Sequence, residues 1–321
     1  MTLPAGWTAR RPTLDDAPAI LAVVHAADTF AVGYPDFSLD DVRESLTAPY
    51  TDPSRDCWLA LDPDGSVVAW ATVDNPTGTG REFVEIYVDP ERGVAAQGPL
   101  LDRQLARVAE RVAERGLPEL TVRCVVCPPE THWLGLLRDA GFRFVKRYVR
   151  MTRSLAGVAP EPPVPPPGVT IRPVRPDDDA DLRDFHRIYD TAFRDTPDYE
   201  PVGFDRWYAE VAGRGGADWD EWFVAECDGV PAGVLRSSDQ ALEQDMGFVK
   251  HLAVLPGHRR RGIGAALLRH AFARYATKGR GYAGLGVDLS NPTDPVHLYR
   301  SVGLTEARSI EMYERQVAAA R

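Results

Sequence analysis

The sequence predicts an α/β protein made of two tandem domains, each a mixed, mostly antiparallel sheet flanked by helices on both faces. Three observations lead there: the length of the chain, an internal repeat at a near-constant offset, and strand-like and helix-like patterns alternating within each copy. A chain of 321 residues is long for one core and comfortable for two. The repeat is read from paired segments in the same order. Thr8-Ala9-Arg10-Arg11-Pro12 with Asp15-Asp16 recurs as Thr170-Ile171-Arg172-Pro173 with Asp177-Asp178-Asp179. Trp58-Leu59-Ala60-Leu61 with Asp64-Gly65 recurs as Trp222-Phe223-Val224-Ala225 with Asp228-Gly229. Val88-Asp89-Pro90 recurs as Val254-Leu255-Pro256, and Leu136 to Phe142 as Leu298 to Leu304. The separations all fall at about 162 to 166 residues, which argues for a duplicated domain. Between the copies, Ala159 to Gly168 is dense in proline and reads as an extended, semi-rigid linker. The expected division is residues 1–156, a linker at 157–168, and residues 169–321.

In the second copy, Val169 to Pro173 reads as a short strand, and a helix begins near Asp179 with Leu182, Phe185 and Ile188 at helical spacing. Trp222 to Cys227 and Val230 to Ser237 flank Asp228-Gly229, a strong hairpin signal. Phe248 to Val254 is a further strand, and Ile263 to Ala276 an amphipathic helix. Leu285 to Leu289 reads as a buried strand, Pro295 to Ser301 as a helix, and Ser309 to Glu314 as a closing strand.

Composition narrows the function. The net charge of -10 and pI near 5.3 argue against a nucleic-acid binder, which shows a basic face. They fit a small, cationic substrate as well as simple solubility. No stretch resembles a signal peptide or reaches the roughly 18 apolar residues of a membrane span, so the expectation is a cytoplasmic protein, monomeric or homodimeric. Cys124 and Cys127 form a lone CxxC within an apolar run, with no second ligand pair, so the reading is structural and no metal is expected.

The chemistry sits in Val254-Leu255-Pro256-Gly257-His258-Arg259-Arg260-Arg261-Gly262-Ile263-Gly264-Ala265-Ala266-Leu267. A strand ends, a tight basic loop follows, and a helix starts at once. Gly262 and Gly264 carry no Cβ, so backbone N–H groups can approach a ligand closely. The helix N-terminus adds unpaired donors and partial positive charge, which together suit a pyrophosphate. Arg259, Arg260 and Arg261 add attraction for an anion.

The order Val-x-Pro, Arg-x-x-Gly-x-Gly, amphipathic helix resembles the acyl-CoA-binding signature of the GNAT superfamily of N-acetyltransferases. Asn291-Pro292-Thr293 leading into Leu298-Tyr299-Arg300-Ser301-Val302-Gly303-Leu304 resembles the family's second signature, with Leu304 in place of the usual Phe. The resemblance covers residues 169–316 and implies acetyl-CoA as acyl donor and a small-molecule amine as acceptor. It implies that the main chain of Leu252, Ala253 and Val254 bonds the pantetheine arm. Backbone amides from Arg259 through Ala265 would hold the pyrophosphate, with Asn291 beside the CoA arm. Tyr299 would be the general acid, its reference pKa of about 10 being close to the 8.5 of a thiol. The tandem arrangement, and Gly286 to Thr293, resemble the mycothiol synthase-like group within the superfamily.

Two departures stand out. The strand before the loop carries Phe248 and Lys250 where the family often has a Glu that receives the substrate's proton. His251 and Glu243 remain as candidate bases; simple strand alternation turns His251 away from Phe248 and Lys250. In the first copy the loop reads Val88-Asp89-Pro90-Glu91-Arg92-Gly93-Val94-Ala95-Ala96-Gln97-Gly98-Pro99, and Leu137 stands where Tyr299 stands in the second. This copy keeps the fold pattern without the glycine spacing, which leaves weak acyl-CoA binding or a structural role. On the acceptor side, Phe193 to Glu200, Asp218, Asp220 and Glu221 interleave carboxylates with Tyr199, Trp207 and Trp219, a set suited to a cationic amine with an apolar or sugar body. The competing function is a non-catalytic acyl-CoA-binding or scaffold protein.

Overall fold

A computed structural model describes every residue except 36, 49, 76–79, 195, 197–198, 214–217, 292 and 320–321, and of residues 210, 212 and 213 the backbone alone. The chain forms two compact units, one of Met1–Arg147 with Ile310–Arg321, the other of Tyr148–Ser309.

The first unit contains β1 (Thr8–Arg10), α1 (Ala17–Val32), α2 (Leu39–Thr47), α3 (Pro53–Asp56), β2 (Cys57–Leu61), β3 (Val67–Asp74), β4 (Arg81–Val88), α4 (Gln97–Glu114), β5 (Glu119–Val126), α5 (Thr131–Asp139) and the start of β6 (Arg143–Ser154). The second contains the rest of β6, β7 (Val169–Pro173), α6 (Asp179–Phe193), α7 (Phe204–Gly213), β8 (Phe223–Cys227), β9 (Val230–Ser238), β10 (Met246–Val254), α8 (Ile263–Thr277), β11 (Tyr282–Asp288), α9 (Val296–Ser301) and the start of β12 (Thr305–Ala318). Strands run in the order β1-β2-β3-β4-β5-β12 in the first unit and β7-β8-β9-β10-β11-β6 in the second. The two orders are the same apart from the last strand, which each unit takes from the other repeat's end. Glu311 to Ala318 pair with β5, and Tyr148 to Ser154 pair with β11.

This strand exchange moves the division away from the proline-rich segment. Leu155 is buried and Val158 packs in the core of the second unit, and Val169 N donates to Pro166 O at 3.0 Å. The predicted closing strand Ser309 to Glu314 therefore completes the first unit from Glu311 onward. A period-2 pattern marks a strand and its faces but not its partner, so the exchange leaves no trace in the sequence.

Local chemistry explains the repeat. In both units an arginine of the first strand clamps an aspartate at the start of the first helix: Arg10 Nη1 to Asp16 Oδ2 at 2.7 Å, and Arg172 Nη1 to Asp181 Oδ2 at 2.8 Å. Such forked pairs fix register as well as energy. The Asp228-Gly229 turn has φ of 53° and 80°, as a two-residue hairpin requires, and joins Cys227 to its partner Val230.

The first unit keeps its own core around Leu100, Val108, Val122 and Leu137, with Cys124 buried among them, its thiol pushed up by burial. The charge network beneath it is dense: fully buried Glu82 pairs with Arg111 and with Arg115 at 2.9 Å, and Asp56 with Arg107 at 2.7 Å. Asp74 is the exception. Its Oδ1 is buried without a hydrogen-bond partner, and burial, with Glu85 and Glu82 nearby, pushes its carboxyl up to about 7. A carboxyl whose folded pKa is raised loses stabilisation as pH climbs from its unfolded value near 3.8 to about 7. Asp74→Asn is therefore expected to raise the thermal midpoint at pH 8 by about 2–4 °C, the size of ~1 kcal/mol in a chain of this length. The gain should fade as pH falls from 7 towards 4, which scanning calorimetry across that range checks.

Candidate active site

The second unit's site begins with a change of partner along β10. Met246 to Val249 pair in parallel with Tyr282 to Leu285 of β11, and that pairing ends there. Leu252, Ala253 and Val254 pair only with Leu235, Val234 and Gly233 of β9. Beyond Val249 the β11 side of β10 is thus an open strand edge, and such an edge is a template for an extended, hydrogen-bonding partner. A β-bulge at Lys250 separates the two stretches.

The bulge also reverses the face on which His251 lies. A Cβ on Gly247 would lie 2.2 Å from Tyr275 Cγ of α8, and Val249 packs in the same α8-side core, so Phe248 faces the opposite way. Leu252 packs on the α8 side, whereas His251 sits 4.7 Å from the ring of Tyr189 and 5.8 Å from that of Phe193, both on α6. His251 therefore shares its face with Phe248, contrary to simple alternation, because the extra residue at Lys250 shifts the period by one. Burial, with Arg236 and Lys250 nearby, lowers its imidazole to about 3.

After Val254 the chain makes a short 3₁₀ turn at Pro256–His258, and α8 starts at Ile263. Its N-cap is Gly262, φ 81°, which offers no side-chain cap. The Ala266 amide donates to Gly262 O at 3.0 Å, so the amides of Ile263, Gly264 and Ala265 lie ahead of the helical ladder at its positive end. Arg260 takes a left-handed φ of 65°, and alternation of hand at successive residues gathers amides into a concavity that suits an anion. Gly264 has a second role: a Cβ there would lie 3.0 Å from Leu298 Cδ2, so its absence lets α9 close against the start of α8.

The three arginines divide the work. Arg259 donates from Nε to Val254 O and from Nη2 to Ala192 O, both at 3.2 Å, tying the loop to β10 and to the end of α6. Arg261 Nη2 reaches Asp228 Oδ2 at 3.3 Å, and Arg260 is exposed. Asn291 shapes the turn into α9, its Oδ1 accepting from Thr293 N at 3.0 Å and from Thr293 Oγ1 at 2.8 Å. Pro292 lies outside the described residues. Tyr299 on α9 is 9% exposed, burial pushes its phenol up to about 12, and its hydroxyl has no hydrogen bond within the described residues. Leu298, next to it, is the residue seated on Gly264, so Tyr299 is held on a helix docked beside the loop.

Glu243 is exposed in a 3₁₀ turn that precedes Met246. The whole of β10, at roughly 3.3 Å per residue, separates that turn from the loop, so the two are not brought together. The carboxylates read as receiving a cation are already paired within the fold. Asp220 and Glu221 bind Lys278 at 2.8 and 3.0 Å, Asp218 also pairs with Lys278, and Arg280 bonds Glu221 at 2.9 Å. Trp207 is core, packed between Phe185 and Trp222, and Trp219 packs against Trp222 with the rings tilted by 55°. Asp195, Pro197 and Asp198 lie outside the described residues. What remains beside His251 is aromatic: Tyr189, Phe193 and Tyr199, with the Tyr199 hydroxyl donating to Asp190 at 3.1 Å. Tyr189 escaped the sequence reading because it has the helical spacing of a core residue.

The first unit's loop is built differently. Asp89 Oδ1 accepts the amides of Glu91 and Arg92 at 3.0 Å, and its Oδ2 accepts the Arg92 guanidinium at 2.9 and 3.0 Å. A carboxylate of the chain itself thus takes two loop amides, at the positions matching Gly257 and His258 of the second unit, together with the loop's arginine. Leu137, in the place of Tyr299, is fully buried in the core.

The second unit thus brings an open strand edge, an uncapped helix start and a phenol with no hydrogen bond within the described residues into one region, and comparison with known proteins gives the family. The acetyltransferase (GNAT) domain model matches residues 218–306. A mycothiol acetyltransferase of Salinispora arenicola is 30% identical over 273 residues, 78% of this chain and 79% of that protein. An uncharacterised N-acetyltransferase of Methanocaldococcus jannaschii is 29% identical over 154 residues, 46% of this chain and 66% of the relative, just under two thirds of its length. The crystal structure of a GCN5-related N-acetyltransferase from Sphaerobacter thermophilus superposes with a TM-score of 0.83 at 26% identity, covering 100% of this chain and 98% of the other. The chain belongs to the GNAT superfamily and is a tandem-domain acetyltransferase. No helix among the described residues is long and apolar enough to cross a membrane.

Proposed function

We propose that the second unit transfers an acetyl group from acetyl-CoA to the primary amine of a small molecule, by direct attack of the amine on the thioester carbonyl. The observation that carries this is the uncapped start of α8 placed at the end of an open β10 edge, with the Tyr299 helix docked against the start of α8. The pantetheine arm would add to the β10 edge at Leu252 to Val254, and the pyrophosphate would meet the amides of Arg260 to Ala265. The amine lone pair forms the new C–N bond, the C–S bond breaks, and the sulfur leaves as thiolate. Tyr299 donates a hydrogen bond to that sulfur and passes it a proton; the nitrogen loses its extra proton to water, and the Tyr299 phenolate takes a proton back from water. A phenol near 12 keeps its proton until the thiolate forms beside it. Thiol release from acetyl-CoA across an amine panel tests the reading; CoA binding with no thiol release for any amine would favour a binding or scaffold protein instead, which Phe248 and Lys250 in the base positions would suit.

The titration of the site makes a pH prediction. Above about pH 3 His251 is neutral, and below about pH 12 Tyr299 is protonated, so neither changes state between pH 5 and 9. The kcat/KM profile should rise with pH until it reaches the pKa of the acceptor amine and should move when amines of different basicity are used. A limb fixed at one pH for every acceptor would instead reveal a titrating base on the protein. The first unit, with its loop closed by Asp89, is assigned a structural role.

A further inference from the structure

One face of the second unit's sheet carries chemistry that donor binding does not use. On β11, Ala283, Leu285 and Val287 pack on the α8 side, which turns Gly284, Gly286 and Asp288 to the face shared by Phe248 and His251. On β6, Val149 and Met151 pack on the α8 side, so Arg150 and Thr152 join that same face. Arg150 stands opposite Gly286, and Phe248 opposite Gly284. Gly286 therefore leaves the floor open beside Arg150, while Gly284, opposite Phe248, is buried under Met246 and Thr152. Gly286 is exposed, with nothing within 4 Å of where a Cβ would be. Across this floor the Arg150 guanidinium lies 4.8 Å from the centroid of the Phe248 ring. A guanidinium carries a planar fork of donors that matches a carboxylate. The other charged groups near the face are Lys250, at 3.2 Å from Gln240 Oε1, Arg236, over the Trp222 ring, and Asp288, whose Oδ1 accepts from Ser290. The aromatic rings of Tyr189, Phe193 and Tyr199 border it at His251.

We propose that Arg150 is a specificity residue that receives a carboxylate of the acceptor, so that the acceptor is an α-amino acid or a derivative keeping its carboxylate, with an apolar or aromatic body. This rests on the acetyl-transfer reading above and names its substrate class. It also accounts for the acidic groups of this unit: Asp218, Asp220 and Glu221 are bound to Lys278, Arg274 and Arg280, so they do not compete for the acceptor.

The test compares L-phenylalanine, L-phenylalaninamide and 2-phenylethylamine as acceptors, each at the pH where the same fraction of amine is neutral. The carboxylate-bearing amine should have a kcat/KM about tenfold or more above the other two, expressed mainly in KM. Arg150→Met should remove that preference, and Arg150→Lys should restore part of it. Equal turnover of acid and amide, or loss of both alike in a folded Arg150→Met protein, would overturn the assignment. A binding measurement separates this from failure of the transfer reading. CoA-saturated protein should bind N-acetyl-L-phenylalanine about tenfold tighter than its amide by calorimetry, and Arg150→Met should equalise the two. Discrimination without any thiol release would defeat the transfer reading and leave the carboxylate site standing. Absence of discrimination in both assays would defeat the carboxylate site.

Discussion

Gly262→Asp is expected to weaken acetyl-CoA binding by about a hundredfold or more while leaving the chain folded. Gly262 sits at φ 81°, a left-handed position where an L side chain costs roughly 1 kcal/mol. A Cβ there would lie 3.0 Å from Pro166 Cγ, close enough that the segment before β7 has to shift by a few tenths of an ångström. Those steric terms are modest. The larger one is electrostatic: a carboxylate placed at the start of α8 faces the pyrophosphate across a few ångströms, and like charges at about 4 Å near a surface repel by roughly 4 kcal/mol. The same carboxylate would cap the first amides of α8 itself, a side-chain cap that Gly262 does not offer. Gly262→Asn separates the two terms, since Asn tolerates the left-handed region and carries no charge. Its loss should be about tenfold at most. Isothermal calorimetry with acetyl-CoA reads both, and equal losses for Asn and Asp would show that backbone strain alone is responsible.

Tyr299→Phe is expected to lower kcat by about a hundredfold with little change in the Kd for acetyl-CoA. The change removes one oxygen from a residue whose ring is buried and whose hydroxyl has no bond within the described residues, so the packing of α9 should survive. A positioned acid contributes on the order of 10²–10⁴ in rate. The lower end is expected here, because burial holds the phenol near 12, above the thiol it protonates, and so weakens the acid. Single-turnover thiol release, run beside CoA calorimetry on the same variant, is the check. A parallel fall in CoA affinity would instead place Tyr299 among the packing residues of α9.

How much of this was legible in the sequence differs from element to element. The hairpin at Asp228-Gly229 and the start of α8 after Gly262 follow from short-range rules, and each stands in the structure at the predicted residues. The strand exchange at β6 and β12 was not legible, because pairing partners are chosen by tertiary packing. His251 was misplaced for a related reason: one bulged residue at Lys250 inverts the alternation that a strand pattern assumes. The carboxylates of Asp218, Asp220 and Glu221 looked available for an acceptor, yet their partners Lys278, Arg274 and Arg280 lie more than fifty residues away in sequence. Arg150 belongs, by sequence, to the end of the first repeat and acquires its place only when β6 pairs with β11.

On the proposed reading the two units put the same topology to different ends, and the difference lies in the loops ahead of α4 and α8. In the second, Gly262 leaves the first amides of α8 without a side-chain cap; in the first, Asp89 takes the amides of Glu91 and Arg92 and the Arg92 guanidinium in the loop ahead of α4. Titration of the full-length chain with acetyl-CoA by calorimetry addresses this most directly. One site per chain is predicted, lost in Gly262→Asp and unaffected by Arg92→Glu in the first unit's loop. Two sites per chain, or a single site that survives Gly262→Asp and disappears in Arg92→Glu, would contradict the assignment.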